Sequence, residues 1–296
     1  MSKVRLQHYI PQLILRSFTD SSGHLSCYRI KDEKFFHPKP NAVMASAWLY
    51  DEIELEEVKK GLKYLVKNNT IKKFDKAIKE MENENQYIEH SLGSSESGFG
   101  VLINNLITTR KGTILTKKSI RKNLLLMLRQ LSCRSLRRKK QIESIPQERY
   151  NKCLKKYGLD DINFKNFASF LRFQELFIPS DEEKFEINYI NFCGSISLAI
   201  NDSETPLLFG NNAPMLKIPR TEEQLFPISP KLGIIIRRDE SKSLIFRNKV
   251  DQYNNYYLNK QEIKISNILQ SSDLNDIVIG PSEVIKEARK KHKSKY

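Results

Sequence analysis

The stretch "LTKKSIRKNLLLMLRQLSCRSLRRKKQ", residues 115–141, constrains the fold of this chain more than any other. Ile120, Leu124, Met127 and Leu131 recur every three or four positions, the period of an α-helix and not of a strand. Thr116 has the side chain of an N-cap, and the basic last turn suits the negative end of a helix dipole. Such a stripe must be buried against other apolar surface, so this helix needs a helical layer around it.

Upstream, residues 1–20 read as a short helix ending at "DSSGH", a turn cluster. "HLSCYRI" and "KFFHP" then alternate like the two strands of a hairpin, and "NAVMASAWLYDE" leads out of it. "EIELEEVKKGLKYLVKNN" is an amphipathic helix. "TIKKFDKAIKEMENENQYIEHSL" is a second, charged one, running into "GSSESGFGVLINNLITT" with a kink at its glycines. From "FEINYINFCGSISLAI" onward, short β-branched or aromatic segments are separated by Pro, Gly and Asn, which reads as an antiparallel sheet. "VDQYNNYYLNKQEIKISNIL" is helical again. The expected fold class is therefore α+β: an N-terminal β-hairpin region, a central helical bundle, and a C-terminal antiparallel sheet with a closing helix. Residues 1–285 form a single domain, with a helical core over about 52–180 and a β-rich part over about 185–250; residues 286–296 are a basic tail.

At 296 residues the chain can bury a core without disulfides or metals. Its four cysteines include no C-x-x-C pair, which argues against a zinc ribbon and a secreted disulfide scaffold. No apolar run approaches the roughly 20 residues of a membrane span, and "MSKVRLQHYI" has no signal-peptide core, so a cytoplasmic protein without membrane contact is expected. The net charge of +15 favours a polyanion such as nucleic acid as partner.

Polar residues on apolar stripes mark the candidate site. In "YIEHSLGSSESGFGVLINNLI", Glu89 and Glu96 are seven apart on one helical face, with Leu92 between them and Phe99 and Ile103 beyond. Carboxylates are rarely buried without a partner. On the strong helix the stripe Ile120–Leu131 continues to Arg134, with Gln130 one turn before it. An arginine there can grip a carboxylate, so the two helices are expected to pack face to face, with Glu89 or Glu96 meeting Arg134. The set is either a buried ion-pair network fixing helix register or a pocket. As a pocket, Glu89 and Glu96 orient water or hold Mg²⁺ while Arg134 stabilises phosphate charge. His8, in "HYIPQLILRSF", joins the set if the first helix lands nearby. The proline fixes where its imidazole points, and its pKa lets it move protons.

These segments resemble a widespread bacterial family, domain of unknown function 4238. "HYIPQLILRSF" is similar to its His-x-x-Pro-x-x-x-Leu-Arg-x-Phe opening, and "WLYDEIELE" continues the likeness. "IEHSLGSSESGFGVLI" resembles its paired-glutamate helix, and "LRQLSCRSLRR" its Gln-x-x-x-Arg helix. "FGNNAPM" is similar to its Ser-Asp-Asn-Pro turn, "LFPISP" to its Pro-Leu-Ser-Pro strand, and "YNNYYLN" falls at its asparagine-led helix. The resemblance covers nearly the whole chain and selects His8, Glu89, Glu96, Gln130, Arg134, Pro214 and Ser229. The chain departs from the pattern twice. Ser135 and Leu136 stand where the family has Thr-Pro, and Asn212 stands for the turn aspartate, so a metal ligand or base at that position would lose its charge. The resemblance implies a pocket that includes Asn212, Pro214 and Ser229, and transfers no activity.

Residues 121–141 hold eight Lys or Arg and no acid. Arg121, Lys122, Arg129, Arg137, Arg138, Lys139 and Lys140 are candidate phosphate contacts, the alternative being a solvated helix end. No Walker A loop, zinc finger or RNP1 motif accompanies them. The leading reading is a hydrolase of phosphodiester substrates, a nuclease-like effector of a microbial defence or toxin system, with Mg²⁺ and a protein partner encoded beside it. The alternative is a non-catalytic protein that binds nucleic acid or a partner, with the polar set as core network. A third reading is an enzyme of a small nucleotide or metabolite.

Overall fold

A computed structural model of the chain describes residues 6–47, 49–50, 53–67, 79, 87–156, 159, 162–178, 180–211, 216–217, 223–238 and 250–294. The N-terminal segment is extended: β1 (Leu6–His8) pairs antiparallel with β4 (Ala45–Ala47), placing His8 opposite Ala45. Pro11 then caps a one-turn helix, α1 (Gln12–Arg16). The first twenty residues thus hold a strand as well as the expected helix. The expected hairpin is β2 (Cys27–Arg29) with β3 (Lys34–Phe36), turned at Glu33, whose φ of 53° is left-handed. It does not stand alone. β11 (Ile277–Ile279) and β6 (Phe209–Gly210) extend it into a four-stranded antiparallel sheet, ordered β3-β2-β11-β6.

The helical part comprises α2 (Leu55–Lys67), α3 (Tyr87–Thr109), α4 (Lys118–Cys133), α5 (Leu136–Glu143), α6 (Gln147–Lys156), α7 (Phe167–Phe177) and α8 (Asp181–Cys193). Glu89, Glu96 and the glycines lie within one continuous helix, α3; residues 70–78 and 80–86 of the expected charged helix lie outside the described residues. α2 approaches α7 at Gly61, where a Cβ would sit 2.3 Å from the Phe170 ring.

The strongest sequence helix is two helices. Arg134 closes α4, and Ser135 turns out to the extended region and caps α5, its hydroxyl accepting the Arg138 N–H at 3.2 Å. Thr116 is not the α4 cap: it ends a 3-10 turn (Gly112–Thr116), and Lys117 occupies the cap position. "FEINYINFC" is helical, not the start of the β-rich part. Ser180 and Glu183 form a capping box that starts α8, and the residues that resemble a strand follow it, burying Ile187 and Ile190 at helical spacing.

The C-terminal sheet follows as β5 (Ser195–Ile200), β7 (Leu216–Lys217), β8 (Glu223–Ser229), β9 (Leu232–Arg237) and β10 (Asn255–Tyr257), ordered β10-β5-β9-β8-β7. It is antiparallel except at its edge, where β10 runs parallel to β5. The closing helix is α9 (Lys260–Gln270), started by an Asn259–Glu262 capping box. The last segment is not a tail: residues 286–293 belong to α10 (Ser282–Lys293), which buries Ile285, Ala288 and Arg289. One apolar cluster runs from Tyr9 through the helices to Ile279, so helices and sheets share a core. Among the described residues no helix is long and apolar enough to cross a membrane.

Candidate functional site

Helix α4 delivers Gln130 and Arg134 one turn apart at its C-terminal end, facing α3. Arg134 is fully buried at its side chain, while the Glu96 carboxylate is 28% exposed. Arg134 donates from one terminal nitrogen to Glu96 Oε1 and from the other to Gln130 Oε1, at 2.9 Å for the latter. Gln130 Nε2 points at the Leu176 carbonyl on α7, 3.4 Å away. The expected meeting of the two stripes is therefore present, through Glu96. Glu89 lies on α3, and its side chain is outside the described residues.

His8 comes to the same place from β1. Its ring faces the Pro40 and Asn41 carbonyls and lies within electrostatic reach of Glu96. Burial lowers its pKa below the ordinary 6.5, against the upward pull of those carbonyls and of Glu96. Its Nε2 is buried and has no hydrogen-bond partner among the described residues. Two residues that the sequence did not single out hold this strand. Gln7, wholly buried, accepts the Tyr50 N–H at 2.6 Å, and the Tyr50 hydroxyl donates to the His8 carbonyl at 3.3 Å. Next in the chain, the Tyr9 hydroxyl accepts from Asn211, and burial raises its pKa to about 12.

Beside this set, Tyr50, Arg134, Lys139 and Arg172 line a crevice of about 10 Å³. Arg172 of α7 is buried, donating to the Leu49 carbonyl at 2.8 Å and standing 3.7 Å from Glu143. An arginine flanked by phenylalanines in "SFLRFQ" is its sequence signal, since a cation on an apolar stripe implies a buried partner. A larger cavity of about 550 Å³ opens between α3, α4 and α7, with Phe99, Met127 and Phe177 as apolar wall and Arg129 and Gln130 as polar groups.

Of the remaining expected pocket residues, Ser229 alone falls among the described residues. Asn212 and Pro214 lie outside the described residues. Ser229 is buried at the end of β8, its hydroxyl accepting the Lys231 N–H at 3.3 Å, a turn-closing role. Of its neighbours, Ile228 accepts from the Ser17 hydroxyl at the end of α1, which ties this strand to the His8 segment.

Nor is the basic run one free face. Arg129 makes two bonds to Glu183, at 2.9 and 3.0 Å. Arg138 pairs with Glu175, and Lys139 stands 3.8 Å from Glu143. Arg121 is turned inward to the Ile190 and Gly194 carbonyls, and Arg137 donates to the Leu274 carbonyl at 3.1 Å while staying exposed. Lys122 and Lys140 are exposed. The acids that answer Arg129, Arg138 and Lys139 come from α8, α7 and α5, so only part of the run is left as exposed basic surface. Among the described residues no group of three or more His, Cys, Asp or Glu gathers as a metal site.

Ser135 gives the departure from the family pattern a physical meaning. It is the N-cap of α5 and Leu136 the first helical residue, positions that a Thr-Pro pair would also suit. No curated protein and no solved structure matches the chain. A family model described as "Protein of unknown function (DUF4238)" matches residues 6–282, and the chain belongs to that family.

Proposed function

We propose that this is a non-catalytic nucleic-acid-binding protein of the cytoplasm, in which His8, Glu96, Gln130 and Arg134 form a structural network. One observation carries this reading: the Arg134 guanidinium has no solvent exposure, and the crevice beside it, about 10 Å³, has room for a single water-sized group. A scissile phosphodiester cannot be seated there. The network instead joins β1, α3 and α4, the three segments that the core must hold in register. The chain's charge of +15 supplies the attraction for nucleic acid, through exposed residues such as Lys122, Arg137 and Lys140. Cys27, Cys133 and Cys193 are free thiols, which suits a reducing compartment.

Binding of single- and double-stranded DNA and RNA to the full chain, measured against salt, tests the reading. Binding should survive Glu96→Gln at a temperature where that variant is folded. Neutralising Lys122, Arg137 and Lys140 together should weaken it and flatten its salt dependence by about one unit of slope per lost phosphate contact. Binding that ignores salt sinks the proposal.

The buried His8 Nε2, without a hydrogen-bond partner among the described residues, near a part-exposed Glu96 favours a second reading, a phosphodiester hydrolase of a defence or toxin system. Here His8 moves a proton, and Glu96 with Glu89 holds Mg²⁺. Its signature is Mg²⁺-dependent cleavage of a nucleic-acid panel, lost in His8→Ala at unchanged melting temperature.

A further inference from the structure

Helix α10 packs on the four-stranded sheet through Ile285 and Ala288, and its spacing gathers cations on one side. Lys286, Lys290 and Lys293 recur every three or four positions, with Arg289 beside them, so they project along one face of the helix. Below that face the sheet presents Tyr28 and Phe35, directly opposite in register and with ring centroids 4.7 Å apart. Lys286 Nζ stands 5.7 Å from the Phe35 centroid, and the Arg289 guanidinium 6.0 Å from that of Tyr28. A cavity of about 350 Å³ opens here, lined by the four cations, by Tyr28 and Ile285, and by a single acid, Glu33.

The cations are incompletely answered. Arg289, 8% exposed at its side chain, donates from one terminal nitrogen to Asp273 at 2.6 Å and to the Ser271 carbonyl at 3.0 Å. Its Nε–H is buried and has no hydrogen-bond partner among the described residues. Lys290 is exposed, and its ammonium has neither an ion pair nor a hydrogen bond among the described residues. Lys293 reaches Glu33 at 2.7 Å and Lys286 reaches Glu283 at 3.4 Å, but both pairs are more than half exposed and contribute little. Such lysines change partners readily. A buried donor without an acceptor costs free energy, and an anion with several oxygens supplies the acceptor.

We infer that this cavity is a binding site for a phosphate group carried on a nucleotide or on a nucleic-acid strand. It stands apart from the nucleic-acid reading above, since its chemistry asks only for the phosphate. A carboxylate offers two oxygens, whereas a phosphate monoester offers three and carries close to two charges. Three oxygens match the donors that line the cavity: one accepts from Arg289 Nε, and the others meet Lys290 and Lys286. At about 350 Å³ the cavity falls at the small end of ligand sites, which leaves room for a sugar beside the phosphate. Tyr28 and Ile285 give that sugar an apolar wall. Glu33 is the one group in the lining that opposes an anion, and Lys293 neutralises it.

Three probes on the full chain test this. Inorganic phosphate, titrated by calorimetry against chloride at equal ionic strength, should bind the wild type saturably. Lys290→Gln changes an exposed side chain and strands no partner, so the variant should fold. It should weaken phosphate binding about tenfold, the effect of losing one charge-assisted hydrogen bond. Arg289→Lys, which keeps the charge but loses Nε and the fork, should weaken it too. Lys152→Gln, at an exposed position on α6, should leave it unchanged. No phosphate binding by the wild type, or equal binding in Lys290→Gln, overturns the site. Equal weakening in Lys152→Gln reduces the effect to net charge and overturns it as well. Adenosine monophosphate and a single-stranded DNA oligonucleotide then identify the carrier. If Lys290→Gln weakens the first alone, the site belongs to free nucleotides; if it weakens the second, the site takes a strand. Inorganic phosphate bound without either carrier overturns the assignment to a carried phosphate. A wild type that binds the nucleotide but no oligonucleotide sinks the nucleic-acid reading and leaves this site standing.

Discussion

Arg134 and Glu96 show what one pair of residues does in this protein. Removing one partner of a buried pair leaves the other charged and desolvated. Glu96→Gln should therefore lower stability by about 3 kcal/mol, the low end for such a truncation because Glu96 keeps some contact with water; urea unfolding measures it. His8 gives a pH signature. Its folded pKa is depressed, so the unfolded chain takes up the proton first as pH falls through 6.5. The stability that neutral His8 contributes is complete above that value and is lost on further acidification. The urea midpoint should drop from pH 7.5 to pH 5.5 more in wild type than in His8→Asn. The Arg134–Glu96 contact is legible in the sequence because helical spacing fixes the face on which each residue projects. Tyr50 and Arg172 are not. One is a turn residue whose hydroxyl reaches back across more than forty positions, and the other finds its partners on segments far from its own helix.

Among elements, α5 depends most visibly on a single side chain. The Ser135 hydroxyl closes an otherwise free N–H at the break between α4 and α5. Ser135→Ala should cost about 1 kcal/mol and Ser135→Thr almost nothing, read from thermal unfolding. A second contact between elements is as exacting. Gly61→Ala places a methyl 2.3 Å from the Phe170 ring, so α2 must move off α7 or the ring must turn. Overpacking of this kind costs about 1–3 kcal/mol, enough to outweigh the better helix propensity of alanine. Helix existence is readable from periodicity for α2, α3 and the α4–α5 stretch, and not for α6, α7 and α8. Helix boundaries are not, because the apolar pattern of residues 115–141 continues smoothly through the break, and only the backbone turn at Ser135 reveals it. "FEINYINFC" deceives for the opposite reason: its aromatics suit a strand, and the signal that decides, the Ser180 cap, lies before it.

The whole molecule is tied together by pairing between its ends. β11 lies between β2 and β6, and α10 covers this sheet through Ile285 and Ala288, packed with Tyr28, Leu208 and Val278. Deleting residues 281–296 should expose that cluster and lower stability by several kcal/mol, since burying Ile285 alone is worth about 1.5–3 kcal/mol. Circular dichroism melts of the truncated chain measure the loss. No sequence window contains this arrangement, as pairing between Arg29 and Ile277 leaves no local trace.

That same strand order sets a timetable. During synthesis, β2 and β3 emerge long before the strand that flanks β2 on its other side. Until then β2 offers an open row of amides and carbonyls to any passing chain. The interval of synthesis between β3 and β11 is thus the one in which the chain can mispair along this edge.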